Sequence, residues 1–159
     1  MISFLSGEIR NIFTEKSILE INVAGVGYEV VLPSFVMDDL VNEGKKSGEN
    51  IILEIYYHST ERSPKPLLVG FNNQIEKIFF EKIIQVEGVG PLKAVSALIF
   101  PVAIVSQAIE NEDLTILNQM PGIGARAAQK MIATLKGKLI DIISESRSAN
   151  VKELSLIHI

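Results

Sequence analysis

The sequence predicts a multidomain α+β protein, an N-terminal β-barrel of the oligonucleotide-binding (OB-fold) type followed by an all-α domain. Three observations predict it. Through residues 1–70 apolar and polar side chains alternate at the period of a half-buried strand. From Asn72 the apolar period becomes helical. Within the helical part, Ile83–Ala94 (IIQVEGVGPLKA) returns 34 residues later as Leu117–Ala128 (LNQMPGIGARAA), an internal repeat.

Taken in order, Leu19, Ile21 and Val23 alternate with Glu20 and Asn22, and Tyr28, Val30 and Leu32 alternate with Glu29 and Val31. Gly25 and Gly27 interrupt the run, and paired glycines in a strand region mark a bulge or tight bend rather than a ligand site. Ser34–Val41 reads as a short helix, 42–50 as a polar loop holding Gly44 and Gly48, and Ile51–Tyr57 as a further alternating strand. HSTERSPKP, with two prolines, is the tip of a long hairpin that returns through Leu67–Phe71. Some five short strands with glycine bends predict the closed barrel. His58 has neither a second histidine nor clustered carboxylates nearby and reads as a polar loop residue.

In the helical part, Asn73 caps a helix with Glu76 three residues on, and Ile75, Ile78, Phe79 and Ile83 share one face. Pro91 suits the first position of the next helix, whose predicted buried stripe is Leu92, Val95, Leu98 and Ile99; Pro101 ends it. A third helix spans Val102–Glu110, and Asp113 caps a short one over Leu114–Met120. Gly124–Leu139 places Ala128, Met131, Ile132 and Leu135 inward and leaves Arg126 and Lys130 facing out. The expected domains are 1–66 for the barrel and 67–140 for the helices, with 141–159 a polar linker and truncated C-terminus.

In register, Gln85/Gln119, Gly88/Gly122, Gly90/Gly124 and Ala94/Ala128 are identical, and Val89 matches Ile123. Each copy is a helix end, a Gly-apolar-Gly turn and a new helix. The glycines allow positive φ and leave the turn bare, the central Val89 or Ile123 anchors it, and the helix start presents unpaired N–H groups and a positive dipole end. A phosphate is the expected ligand. A lone Gly-x-Gly is most often a plain turn, but two copies in shared register form a tandem helix-hairpin-helix, which grips nucleic-acid backbones without reading bases. Gly88, Val89, Gly90, Gly122, Ile123, Gly124, Arg126 and Lys130 are the candidate contacts. The dinucleotide-binding fingerprint is rejected, because the third glycine is missing and residues 74–84 read as helix where that motif needs a strand.

Composition narrows the classes further. The 159 residues are 47% hydrophobic and 21% charged, enough apolar content for a core. Cysteine is absent, which excludes disulfides, thiolate metal sites and cysteine nucleophiles. No metal-ligand cluster, GxxxxGK[ST] phosphate loop or secretory signal is visible, and no cofactor is implied. The longest apolar run, Ala97–Val105, is broken by Pro101 and falls far short of the roughly 20 residues of a membrane span. A cytoplasmic protein with no membrane partner is expected. Net charge is −4, yet between Asp113 and Asp141 there is no acid, only Arg126, Lys130, Lys136 and Lys138, a local positive patch on the second hairpin.

AGVGYEV at Ala24–Val30, LLVGF and GFNNQ around Gly70, GVGP, and MPGIGARAAQKMIATLK occur in an order that resembles the RuvA family of Holliday-junction-binding proteins, over roughly residues 1–140. The resemblance implies an OB-fold barrel, two backbone-gripping hairpins, and a homotetramer, or an octamer of two tetramers, that holds a four-way DNA junction open and flat. It implies partnership with the RuvB motor, which hydrolyses ATP, and the RuvC nuclease, in recombination, DNA-damage repair and the SOS response. It adds Lys93 and Ala125 to the DNA contacts. It also implies an acidic pin at the tetramer centre; here the Tyr57–Leu67 loop is longer than the family's, and its acidic side chain is Glu61, beside Arg62. Two cations depart from the pattern: GIGKK becomes Gly122-Ile123-Gly124-Ala125-Arg126, and in GVGPLK the lysine, Lys93, sits one place later. The family's C-terminal motor-binding domain is expected to be missing, as in a truncated product, which leaves the RuvB contact open.

The leading expectation is a non-enzymatic, structure-selective DNA scaffold. The alternative is a helix-hairpin-helix glycosylase or nuclease, or its DNA anchor; such chemistry needs a carboxylate or lysine set close behind the hairpin, and no acid follows the second hairpin before Asp141. A purely structural oligomer or protein adaptor is the third reading.

Overall fold

The structure is a computed structural model, and it describes residues 1–146. Five strands, β1 (Phe4–Phe13), β2 (Ile18–Val23), β3 (Val26–Val31), β4 (Asn50–His58) and β5 (Leu67–Phe71), close into a barrel in the order β1-β2-β3-β5-β4. All neighbours are antiparallel except β3 and β5, which meet in parallel at Val31 and Val69. Alternation drives closure: Leu5 and Ile9, Leu19 and Ile21, Val30, and Leu53 and Ile55 all point inward and are buried. The wall is tight at two glycines: a Cβ at Gly7 would lie 2.2 Å from the Asn22 carbonyl oxygen, and one at Gly70 would lie 2.6 Å from Val30 Cγ1 and 2.8 Å from Leu32 Cδ2.

The expected bend at Gly25 is a two-residue hairpin turn. Val23 pairs with Val26, and Ala24 and Gly25 both have positive φ (52° and 88°), the twist that suits tightly linked strands. Asn22 Oδ1 accepts the Gly25 N–H at 2.8 Å. The register irregularity lies elsewhere, in β1 between Ile9 and Asn11. Between β3 and β4, helix α1 (Ser34–Asn42) adds Phe35, Val36, Met37 and Leu40 to the core.

The remaining helices are α2 (Gln74–Ile83), α3 (Pro91–Ala97), α4 (Val102–Glu110), α5 (Leu114–Leu117) and α6 (Ala125–Leu135). Asp113 caps α5 through the Thr115 and Ile116 N–H groups as expected, though that helix stops at Leu117 rather than Met120. The two predicted faces hold in part: Phe79, Ile83 and Leu98 are buried as expected and Val95 is half-buried. Ile78 and Leu92 are exposed, Leu92 by 70%, and the buried positions are Glu76, Phe79, Phe80 and Ile83 on α2 and Ala94 and Ala97 on α3. The cause on α2 is the barrel: Phe80 packs 5.1 Å, ring to ring, from both Tyr56 of β4 and Phe71 of β5, turning the helix toward the sheet. On α3 the small faces of Ala94 and Ala97 allow close approach, which leaves Leu92 outside.

Where a linker is expected from residue 141, residues 140–146 are helical, and Leu139 and Ile142 are buried. Glu110 fixes the preceding turn by accepting the Gly137 and Leu139 N–H groups at 2.8 and 3.2 Å. The rest of that expected segment, 147–159, lies outside the described residues. Among the described residues no single helix is long and apolar enough to cross a membrane.

The predicted Asn73 cap is present, its side chain accepting the Glu76 N–H at 3.0 Å, but Glu76 reaches one residue further back than a capping box requires. Its carboxylate accepts Asn72 Nδ2–H at 2.9 Å and Asn72 N–H at 3.3 Å. Asn72 Nδ2 also donates to Asp39 of α1 at 3.0 Å. Burial pushes the Glu76 carboxyl up to about 7, with Asp39 adding to the rise and the two Asn72 hydrogen bonds opposing it. A carboxyl whose folded pKa is raised binds more protons folded than unfolded, so stability is lost as pH climbs from about 4.5 to about 7. Glu76→Gln removes this pH dependence. Urea unfolding is expected to show the variant gaining on wild type across that window, by up to about 3 kcal/mol; a difference independent of pH contradicts the assignment.

Candidate nucleic-acid interface

The two repeat copies fold alike. In the first, the Val86 N–H bonds the Ile83 carbonyl at 3.1 Å and the Val89 N–H bonds the Val86 carbonyl at 3.0 Å. In the second, Met120 to Leu117 and Ile123 to Met120 repeat those bonds at 3.2 and 3.0 Å. Gly88 and Gly122 take the left-handed conformation that closes each turn, with φ of 87° and 77°. Gly90 and Gly124 then open α3 and α6 in near-identical extended geometry, φ/ψ −86°/174° and −87°/−175°. Val89 and Ile123 are buried beneath the turns. Ala94 and Ala128, both fully buried, bond back to the Gly90 and Gly124 carbonyls at 2.9 and 3.0 Å.

What faces outward is bare backbone. A Cβ at Gly88, Gly90 or Gly124 would meet nothing within 4 Å. Neither α3 nor α6 has a side-chain cap or an acid in its first turn, so the N–H groups at these starts are not taken by local side chains. Such a surface suits a polyanion that approaches closely and donates no hydrogen bonds.

The two turns also lie side by side. A Cβ at Gly122 would sit 3.7 Å from Lys93 Cε, so the first unit's lysine lies over the second unit's turn. In the other direction, Lys130 Nζ of α6 is 3.8 Å from the Glu87 carboxylate in the first turn. Arg126 and Ala125 are exposed at the start of α6. The structure thus gathers Gly88, Gly90, Lys93, Gly122, Gly124, Ala125, Arg126 and Lys130 into one face, with Val89 and Ile123 as its buried anchors. Glu61 is outside it, exposed on the loop between β4 and β5. The base of that loop, at Lys65 and Pro66, borders Gly90–Lys93 across an apolar cleft of about 680 Å³.

One residue of this face was missed by sequence reasoning. Glu87 directly precedes Gly88, but its pairing with a lysine 43 positions away could be seen only in the fold. Among the described residues no group of three or more His, Cys, Asp or Glu could hold a metal ion.

Residues 1–65 match the family model described as RuvA N terminal domain. The chain is similar to the Holliday junction branch migration complex subunit RuvA of Desulfosudis oleivorans, 48% identical over 140 residues that make up 87% of this chain and 66% of that protein. The protein of the same name from Desulfatibacillum aliphaticivorans is 48% identical over 139 residues, again 87% and 66%. That of Oceanobacillus iheyensis is 36% identical over 146 residues, 91% of this chain and 68% of the relative. The chain therefore spans about two thirds of the length of the curated relatives it matches.

Gly122→Asp places a carboxylate on the bare turn. The Cβ fits, at ordinary contact distance from Lys93, and the left-handed conformation costs about 1 kcal/mol or slightly more. Affinity for duplex DNA is expected to fall at least about tenfold at fixed salt while the unfolding midpoint shifts modestly. Gly122→Ala carries the same backbone cost without the charge, and an equal loss in both variants sinks the electrostatic account.

Proposed function

The chain belongs to the RuvA family, and from that premise we propose that it is a non-catalytic scaffold that binds four-way DNA junctions by shape. The observation that carries the reading is the pair of glycine turns, alike in geometry, bare on the outside, and set against each other through Lys93 and Gly122. We read them as a tandem helix-hairpin-helix within the helical domain, behind an OB-fold barrel that runs past the expected boundary at 66 because β5, Leu67–Phe71, is one of its strands. The turn N–H groups and Lys93, Arg126 and Lys130 hold successive phosphates of one duplex arm. Phosphate contacts fix position and carry no sequence information, so selectivity comes from how several such faces are arranged.

A homotetramer, or an octamer of two, supplies that arrangement, one pair of turns per arm, with Glu61 as the acidic group at the crossover. The relatives are named as subunits of a branch migration complex. By that likeness the DNA-bound protein serves a RuvB motor and a RuvC nuclease in recombination and repair in the cytoplasm, and hydrolyses no ATP itself.

Competition binding of a four-way junction against linear duplex, at about 50 and about 200 mM salt, tests this. Junction binding is expected to be the tighter at both, and to weaken by orders of magnitude between them as counterions compete for the phosphates. Equal affinity for the two DNAs at the same salt overturns the reading.

A further inference from the structure

Glu87 stands in the first turn, and its 89%-exposed side chain reaches the second unit to lie 3.8 Å from Lys130 Nζ. The pair joins two separate units, so it is no by-product of neighbouring turns of one helix. Lys130 is one of the cations on the proposed DNA face, and a phosphate that approaches it meets a carboxylate already there. From this geometry we propose that Glu87 sets the affinity of the interface: it occupies Lys130 in the free protein and a DNA phosphate displaces it. The inference rests on the DNA-binding reading above and deepens it.

Two consequences lower affinity. The ion pair must be broken before Lys130 can hold a phosphate. Once released, Glu87 remains in a turn beside the bound backbone, well inside the roughly 8 Å screening length of physiological salt, where it repels. Neither effect is large, because exposed pairs are weak and a long exposed side chain swings aside without moving the backbone. Glu87 therefore leaves the contact intact and makes it readily released.

The test is a double-mutant cycle on the full chain, read as junction affinity at about 50 mM salt, with urea unfolding to check folding of each variant. Glu87→Gln is expected to tighten binding about two- to fivefold, an effect that shrinks as salt rises. Lys130→Gln is expected to weaken the Glu87→Gln variant more than it weakens wild type, because only in the variant is Lys130 free beforehand. If Lys130→Gln costs the same in both backgrounds, or Glu87→Gln leaves affinity unchanged while wild type binds, this inference fails and the DNA-binding reading stands. If wild type binds neither junction nor duplex, the reading itself fails and takes the inference with it.

Discussion

The burial of α2 is the contact on which the rest of the structure depends. Its Phe80 lies against Tyr56 and Phe71 of the barrel, while Phe79 and Ile83 on the same helix are buried and belong to the same continuous core as α3, α4 and α6. Burying three such side chains is worth several kcal/mol in total. The helix that seals the sheet is therefore also the helix whose C-terminal end becomes the first glycine turn. A change in how α2 sits on the barrel moves Gly88 and Gly90 directly. Glu76 and Asn72 hold the other end of α2 against Asp39 of α1, and a second backbone bond, Phe35 N–H to the Leu98 carbonyl at 3.4 Å, ties α1 to the end of α3.

A protein of net charge −4 is an unpromising partner for DNA until the charges are placed. Backbone N–H groups are donors that cannot be neutralised by overall composition, and bare glycine turns bring them close to a phosphate. The cations Lys93, Arg126 and Lys130 are concentrated around the turns, while much of the acidic excess is carried by residues 1–70. Local field over short distance, screened from the remainder of the surface, is what an approaching phosphate experiences.

The repeat was the most legible part of the sequence, because the requirement for glycine at Gly88 and Gly122 is local: it follows from positive φ within one turn. The Asn73 and Asp113 caps and the bounds of α4 were legible for the same reason. Features set by contacts between distant segments were not. Ile78 and Leu92 have the right period to be buried, and only the barrel's hold on Phe80 and the close approach of Ala94 and Ala97 decide otherwise. The segment from residue 141 reads as polar, yet Leu139 and Ile142 find apolar cover and Glu110 fixes the turn before them, none of which is encoded within the segment itself.

Lys93 shows how a departure from a family's pattern acquires meaning only in three dimensions. Moving a lysine one place along a helix turns its side chain by about 100°. Read along the chain, the shift from GVGPK to GVGPLK weakens the first turn's own cation. In the fold, the lysine's stem lies beside Gly122 of the second turn, its Cε 3.7 Å from where a Cβ would sit. Leu92 stands exposed beside the apolar cleft under the long hairpin. The first unit thus lends its lysine to its neighbour, and the two turns form one surface. Glu87 and Lys130 make the same exchange in the opposite sense.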